Sequence, residues 1–492
     1  MIKLLIILLT LLVSCSSSPT EFRVGLSQEP NTLDLHNTTS QTARYIAAEN
    51  ILERIIVQDN NGVLHPALLD SYSLSEDKKT ITFDILDDLY FSNGDKVKQS
   101  DYLFSLNRWL ASSFGAKQIV GQDTYFSAHN GDLSLTSENS LILLPYYMAS
   151  SKQAAVLIQE SDELIIKNPI GTGPYYLDSW TIGSNIKLKK VENYKKRGDD
   201  SLDLNGEKKA YHEAISYYFI RDDFSRTSAL EKEEIYFMND LPFDYLDKEF
   251  KNGMVYKDNE TGSLVLLLNK AEGLLENKTI RQALEVGLDK NRLMLSCYTQ
   301  ESFVLNQNYM QSTLKNYQVD LPSAENDKPK AISMIKNTGL YGKEITVLTS
   351  NNSNMDKTGL VLKDELEKLG FTVNLEIRDW ATYLELRQDK SSFDIAITAL
   401  TNDSIPSQKL FFSPSYPGWT NDEELTLLLD KFNNAESTEK ADEVWKEIQL
   451  YSYDYIPAIV LGHYKTAYLV NPKLKDVIYN NGFYFYSSYL DN

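Results

Sequence analysis

Hydrophobic positions recur along the chain at two periods, and the places where the period changes mark its elements. Apolar and polar residues alternate in "FRVGLS" (22–27), which predicts a strand, followed by a turn-rich "QEPNTLDLH". Ile46, Ile51 and Ile55 fall near helical spacing, so a helix is expected ahead of the turn at Asn60-Asn61-Gly62. Ile81, Phe83 and Ile85 alternate before a turn at Asn93-Gly94, which predicts a hairpin-bearing segment. A helix capped by Ser100 is expected in "KQSDYLFSLNRWLASS". "DELIIK" (162–167) and "SNIKLKKVENY" (184–194) read as strands on either side of "NPIGTGPYYLDSW" (168–180). Residues 262–269, "GSLVLLLN", form an unbroken apolar run, the pattern of a strand covered on both faces.

Beyond 270 strands and helices alternate. One helix capped by Thr279 is expected over 276–295, and another over 328–339 stopped by Gly339. Then follow a strand (343–350), a helix ending at Gly370, a strand (371–378), a helix (380–389) and a strand (393–400). This β–α–β–α–β order with short loops implies a right-handed, mainly parallel α/β unit. An amphipathic helix at 437–455 and a strand at 456–470 close it. Entry by a strand near 262 and exit by another near 463 imply two connections crossing one hinge.

At 492 residues the chain is too long for one core, so two or three domains are expected. The net charge of −20 repels phosphate backbones and argues against nucleic-acid binding. Tyrosine is abundant, 31 copies against 19 phenylalanines, which suits wet cores and adaptable clefts.

Catalytic patterns are missing: the five histidines form no HExxH, and neither GxSxG nor GxxxxGK[ST] occurs. The Gly171-Thr172-Gly173 turn runs into Pro174 and a strand-like segment, whereas a phosphate cradle needs a helix N-terminus. Aspartate pairs such as Asp87-Asp88 lack calcium-loop spacing. No metal, cofactor or catalytic group is expected.

The first residues, "MIKLLIILLTLLVSCSSSP", have the layout of a secretory signal, with an apolar run too short for a stable membrane anchor. Leu12-Val13-Ser14-Cys15 is similar to the bacterial lipobox, so residues 1–14 are expected to be a signal peptide, Cys15 the lipidated residue and 15–19 a tether. Cys297 is then alone and no intrachain disulfide forms; a packed thiol is expected there.

Several segments, in order, resemble the large oligopeptide- and dipeptide-binding proteins of bacterial ABC importers, solute-binding family 5. "EPNTLDLH" is similar to the family's EPxTLDP, with Leu35 where proline is usual. The stretch from "GVLHPALLDSYSLS" to "SDYLFSLNR" resembles its long signature, and "NPIGTGPYYLDSW" its NPVGTGPY element. "TIRQALEVGLDKNRLM" and "LEKLGFTVNLEIRDWATYLELRQDKSSFDIAIT" match its second half. The resemblance implies a two-lobed periplasmic-binding-protein-like α/β fold of type II. The first lobe would comprise 20–44, 165–258 and 464–492, with a subdomain inserted at 45–164; the second would comprise 259–463.

It also implies a monomer that holds a peptide between hinged lobes and delivers it to permease and ATPase subunits. Strand-like edges would meet the peptide backbone at Thr39-Ser40-Gln41 and Leu400-Thr401-Asn402. Asp403, in "LTNDSIPS", would take the peptide's ammonium, although Leu400 replaces the family's tryptophan and Ile405 its second aspartate. Trp380 and Trp419 are candidates to line the pocket, and Arg44, Arg281 and Arg378 to meet a carboxylate. A nickel chelate, a sugar or a signalling peptide as ligand, or a surface antigen without transport role, stays open.

Overall fold

The computed structural model describes residues 21–129, 132–150, 152–160, 168–322, 326–351, 354–403 and 405–491. The candidate signal, Cys15 and the expected strand at 162–167 lie outside them.

The hydrophobic strand 262–269 is the end of a longer one, Met254–Leu268, with Leu264 to Leu268 fully buried. It pairs along its length with Ala458–Val470, and these two antiparallel strands form the middle of a sheet that runs through the whole molecule. On one side lie Ile395–Thr401, Glu344–Ser350 and Thr372–Arg378, the last two parallel to each other and Glu344–Ser350 parallel to Ile395–Thr401. This is the expected β–α–β–α–β unit. Its helix Met355–Lys368 and the earlier helix Lys278–Gly287 bury Leu362, Leu366 and Leu284 in one core with Val347, Ile395 and Ile397. On the other side Phe237–Met238, Glu21–Leu26 and Ala214–Phe219 are mutually parallel neighbours, followed by the antiparallel pair Asn185–Lys190 and Tyr175–Thr181. The central pair shifts register between Lys257 and Glu260 and again before Gly262, where the sheet passes from one half to the other.

A separate four-stranded sheet, Leu69–Leu74, Thr80–Ile85, Asp132–Thr136 and Ser127–His129, carries helix Gln99–Ser112. Ile81 and Phe83 point inward as their alternation predicts and meet Tyr102, Leu106 and Trp109 of the helix.

Three helix expectations need correction. The helix after residue 41 is Gln41–Ala47, too short to include Ile51 and Ile55. Asn50 stops it by turning its amide back onto the Tyr45 and Ile46 carbonyls (3.2 Å each), and Glu49 takes φ 62°. The expected helix at 276–295 is two, Lys278–Gly287 and Lys290–Leu295, because Leu288 is extended and Asp289 starts a new helix by capping Arg292 N–H. Asn277, not Thr279, caps the first. Ser100 is the second residue of its helix, not the cap; Lys98 precedes the first turn, and Asp101 turns back to accept from Lys98 N–H.

Gly171 and Gly173 are required by close approach, not by a left-handed backbone. A Cβ on either would run into the Ile51 or Asn50 carbonyl. There Gly173 N–H bonds Ile51 O (3.0 Å), Tyr175 N–H bonds Asn50 O (2.9 Å), and Gly171 O accepts from Ser92 (2.9 Å). The stretch therefore laces three chain segments together.

Candidate functional site

A cavity of about 620 Å³ opens between the Ile395–Thr401 strand with its following loop and the helices around 113–153, with Thr39 on its rim. The strand that forms one wall is half unpaired. Its Glu344–Ser350 neighbour meets it only at Ile395 and Ala396. Asn402 N–H bonds Thr261 O (3.0 Å), so by the alternation of an antiparallel ladder 398 and 400 face the central strand while 397, 399 and 401 face outward. Tyr383 Oη donates to the Ile397 carbonyl (2.7 Å) and Lys152 Nζ to the Thr401 carbonyl (2.7 Å). Between them Ala399, past the last paired residue, presents its N–H and C=O on the open edge and lines the cavity.

Asp403 follows directly and is almost buried. Two lysines share it: Lys152, from the inserted segment, on Oδ1, and Lys409, from its own half, on Oδ2 at 3.1 Å. The Lys409 side chain is 1% exposed and that of Lys152 21%. Burial, with Lys409 nearby, pushes the Lys152 ammonium below the ordinary lysine range although Asp403 pulls it up. Lys152 thus bridges the two sides of the cavity, as does the hydrogen bond between Tyr147 Oη and Ser407 Oγ (2.8 Å).

Arg387 stands further along the same wall. Its Nη1 donates to Thr398 Oγ1 (3.3 Å), and the guanidinium lies 5.4 Å and 5.5 Å from the ring centres of Tyr383 and Tyr416. Burial raises the pKa of both tyrosines, keeping them neutral. Trp380, partly exposed, stacks on Tyr383 (5.3 Å) and completes this apolar corner.

The structure brings Thr39, Trp380, Leu400, Thr401 and Asp403 to the cavity. It does not make 39–41 a strand edge: Ser40 is the N-cap of helix Gln41–Ala47, and Gln41 begins the helix with its amide on Tyr45 Oη (2.7 Å). Asn402 lies beside the cavity with its amide on the Glu260 carbonyl. Trp419 is buried against Phe393 (5.6 Å), away from the cavity lining. Arg281 spends its guanidinium on the carbonyls of Leu275, Glu276, Tyr455 and Ile456, and Arg378 pairs with Glu376 (2.9 Å). Arg44 is half-buried near Tyr45 and Arg54, and neither it nor the other two lines the cavity. Sequence reasoning missed Lys152, Lys409 and Arg387. The one signal for the first two was a lone lysine between apolar runs, in "YYMASSKQAAV" and "SQKLFFS". Cys297 is partly buried within 3.4 Å of Thr358 Oγ1, and burial raises its thiol pKa, as a packed thiol requires.

A sheet continued through two antiparallel crossing strands, with a cavity beside an open strand end, defines a two-lobed α/β solute-binding fold. The profile described as "Bacterial extracellular solute-binding proteins, family 5 Middle" matches residues 63–422, and the chain belongs to that family. A probable peptide ABC transporter periplasmic-binding protein of Sinorhizobium fredii is 22% identical over 448 residues, covering 84% of this chain and 83% of that one. The dipeptide-binding protein from Pseudoalteromonas, solved with Met-Leu, superposes with a TM-score of 0.79 at 16% identity over 96% of this chain and 100% of that one. AgaA of A. tumefaciens R10, solved with agropinic acid, superposes with a TM-score of 0.78 at 19% identity over 96% and 99%. These two likenesses show the fold. No described helix is long and apolar enough to cross a membrane.

Proposed function

We propose that the chain captures peptides outside the cytoplasm and hands them to the permease and ATPase subunits of an ABC importer, tethered meanwhile by lipid on Cys15. The observation that carries this reading is the position of Lys152 Nζ, bonded at once to the outward carbonyl of Thr401 and to Asp403. An ammonium beside an open strand edge is what the first residue of a peptide would place there. The peptide's ammonium takes the place of Lys152 on Asp403 while Lys409 stays as counter-charge, and the peptide backbone pairs with Ala399. Lys152, one-fifth exposed, has solvent to move into. The same reading divides the chain into a first lobe (20–44, 165–258, 464–492), an inserted subdomain (45–164) and a second lobe (259–463).

Loss of a charge-assisted hydrogen bond costs about 1.5–3 kcal/mol, so Asp403→Asn should weaken binding of a peptide with a free amino terminus by that amount. Equal calorimetric affinities of the two proteins would sink the assignment. Lipidation has its own check: Cys15→Ala should abolish labelling by a fatty-acid probe, and unchanged labelling rules the anchor out.

A further inference from the structure

A second cavity, of about 570 Å³, lies apart from the cleft and shares no lining residue with it. It is bounded by the turn at 58–62, Tyr146 of helix Leu144–Met148, residues 311–317, the start of helix Thr438–Tyr455 and residues 479–481. Gln311 and Glu260 stand between the two cavities. The Gln311 amide donates to the Asp403 carbonyl (3.4 Å), and the Glu260 carbonyl accepts from the Asn402 amide.

The described residues that line this second cavity carry three carboxylates, Asp59, Glu260 and Asp442, against one cation, Lys315. Two of the three are engaged. Asp59 accepts from the Asn61 and Val63 N–H groups (2.9 Å each) and pairs with His65 (3.0 Å); Glu260 accepts from Ser312 N–H (2.9 Å) and faces His463 Nδ1 (3.5 Å). Asp442 differs. Both its oxygens accept from a single amide, Asn316 Nδ2 (3.2 Å each), and Lys446, a turn along the helix, acts on it from beyond ion-pairing distance. Burial raises its pKa although Asn316 pulls it down, as for a carboxylate that lacks a cation.

Two half-buried tyrosines accompany it, Tyr146 and Tyr317, packed on one core. Burial first, then Asp442, raises the pKa of both phenols and keeps them neutral. Trp445 fixes Tyr317: the rings meet edge-on at 6.4 Å, and Trp445 Nε1 donates to the Tyr317 carbonyl (3.0 Å). Neutral aromatic rings beside an under-compensated carboxylate suit an organic cation. Gln311 adds a buried Oε1 with no hydrogen-bond partner, an acceptor that calls for N–H donors. The excess of two carboxylates over cations matches two ammonium groups. From this arrangement we infer that the cavity is an accessory site for an aliphatic diamine, with one ammonium on Asp442 beside Tyr146 and Tyr317. The site is independent of what the cleft holds.

The test is calorimetry with 1,4-diaminobutane and its neutral isostere 1,4-butanediol on wild type, Asp442→Asn and Tyr146→Leu. Salt at about 0.15 M screens the general attraction of a chain with net charge −20 for cations. Both substituted side chains are half-buried, and melting curves without the probes establish that the variants are folded. Wild type should bind the diamine at least about tenfold more tightly than the diol. Asp442→Asn should weaken diamine binding by about 10- to 100-fold, and Tyr146→Leu by about 3- to 30-fold. Equal affinity of wild type for the two probes, or no binding of the diamine, overturns the inference without recourse to any variant. Undiminished diamine binding in either variant overturns it as well, because the amine would then be held elsewhere.

Discussion

Replacing Asp403 by Asn keeps the side chain's shape and removes the charge that two lysines share. The consequence for stability follows from how differently those lysines are placed. Lys152 keeps its bond to the Thr401 carbonyl and is one-fifth exposed, so it can return to water cheaply. Lys409 is sealed, and its ammonium would be a buried cation next to an amide. Removing one partner of a buried pair costs about 3–5 kcal/mol. The escape, deprotonating a lysine at pH 7 from an ordinary pKa, costs about 4–5 kcal/mol at 1.36 kcal/mol per unit, and so does not lower the penalty much. The expected loss is about 3 kcal/mol, nearly all of it from Lys409. Urea unfolding followed by tryptophan fluorescence reads it, and a second substitution, Lys409→Met, should restore most of it. A lysine stranded in the variant has a folded-state pKa below its unfolded value, so the unfolded state binds more protons and the deficit shrinks as pH rises from 7 towards 10. A loss under about 1 kcal/mol, or no recovery in the double variant, would refute the picture of a sealed Lys409 held by Asp403.

Gly171→Ala should destabilise by about 3 kcal/mol, since the added methyl meets a backbone carbonyl that cannot swing aside, and a melting curve unchanged from wild type would contradict the packing described. His36 is fully buried beside Arg108 and Asp34, its Nε2 accepting from Val156 N–H (3.3 Å), and burial first, then Arg108, lowers its pKa to about 3. Its contribution is therefore complete above an unfolded pKa near 6.5 and is lost as pH falls below it, by about 2 kcal/mol at pH 5. His36→Gln should remove that part of the acid slope, and parallel pH profiles for the two proteins would be the contrary result. Ala399→Pro deletes an N–H on the open edge only, a position where proline is tolerated, so the fold should persist while peptide affinity drops about tenfold. Undiminished affinity would show that the ligand backbone does not pair there.

The sheet's second half was readable because period and caps agree there: the strands 344–350, 372–378 and 395–401 fall within a residue or two of the alternation that predicts them. Ile51 and Ile55 misled for a physical reason. Both are buried, as apolar residues are expected to be, but they reach the core from non-helical backbone after Asn50 has turned the chain. The site was legible where one strand and its continuation supply it, from Leu400 to Asp403. It was not legible where the ion pairs join distant segments: Lys152 and Asp403 are 251 residues apart, and no local pattern encodes that meeting. Trp419 illustrates the opposite error, an aromatic that looked like pocket lining and serves the core.

The cleft is proposed to hold a short peptide. Native mass spectrometry of the protein purified without unfolding tests it most directly. Bound masses that fragment as short peptides with a free amino terminus are the expected result. A bound metal chelate or sugar with no peptide would contradict it.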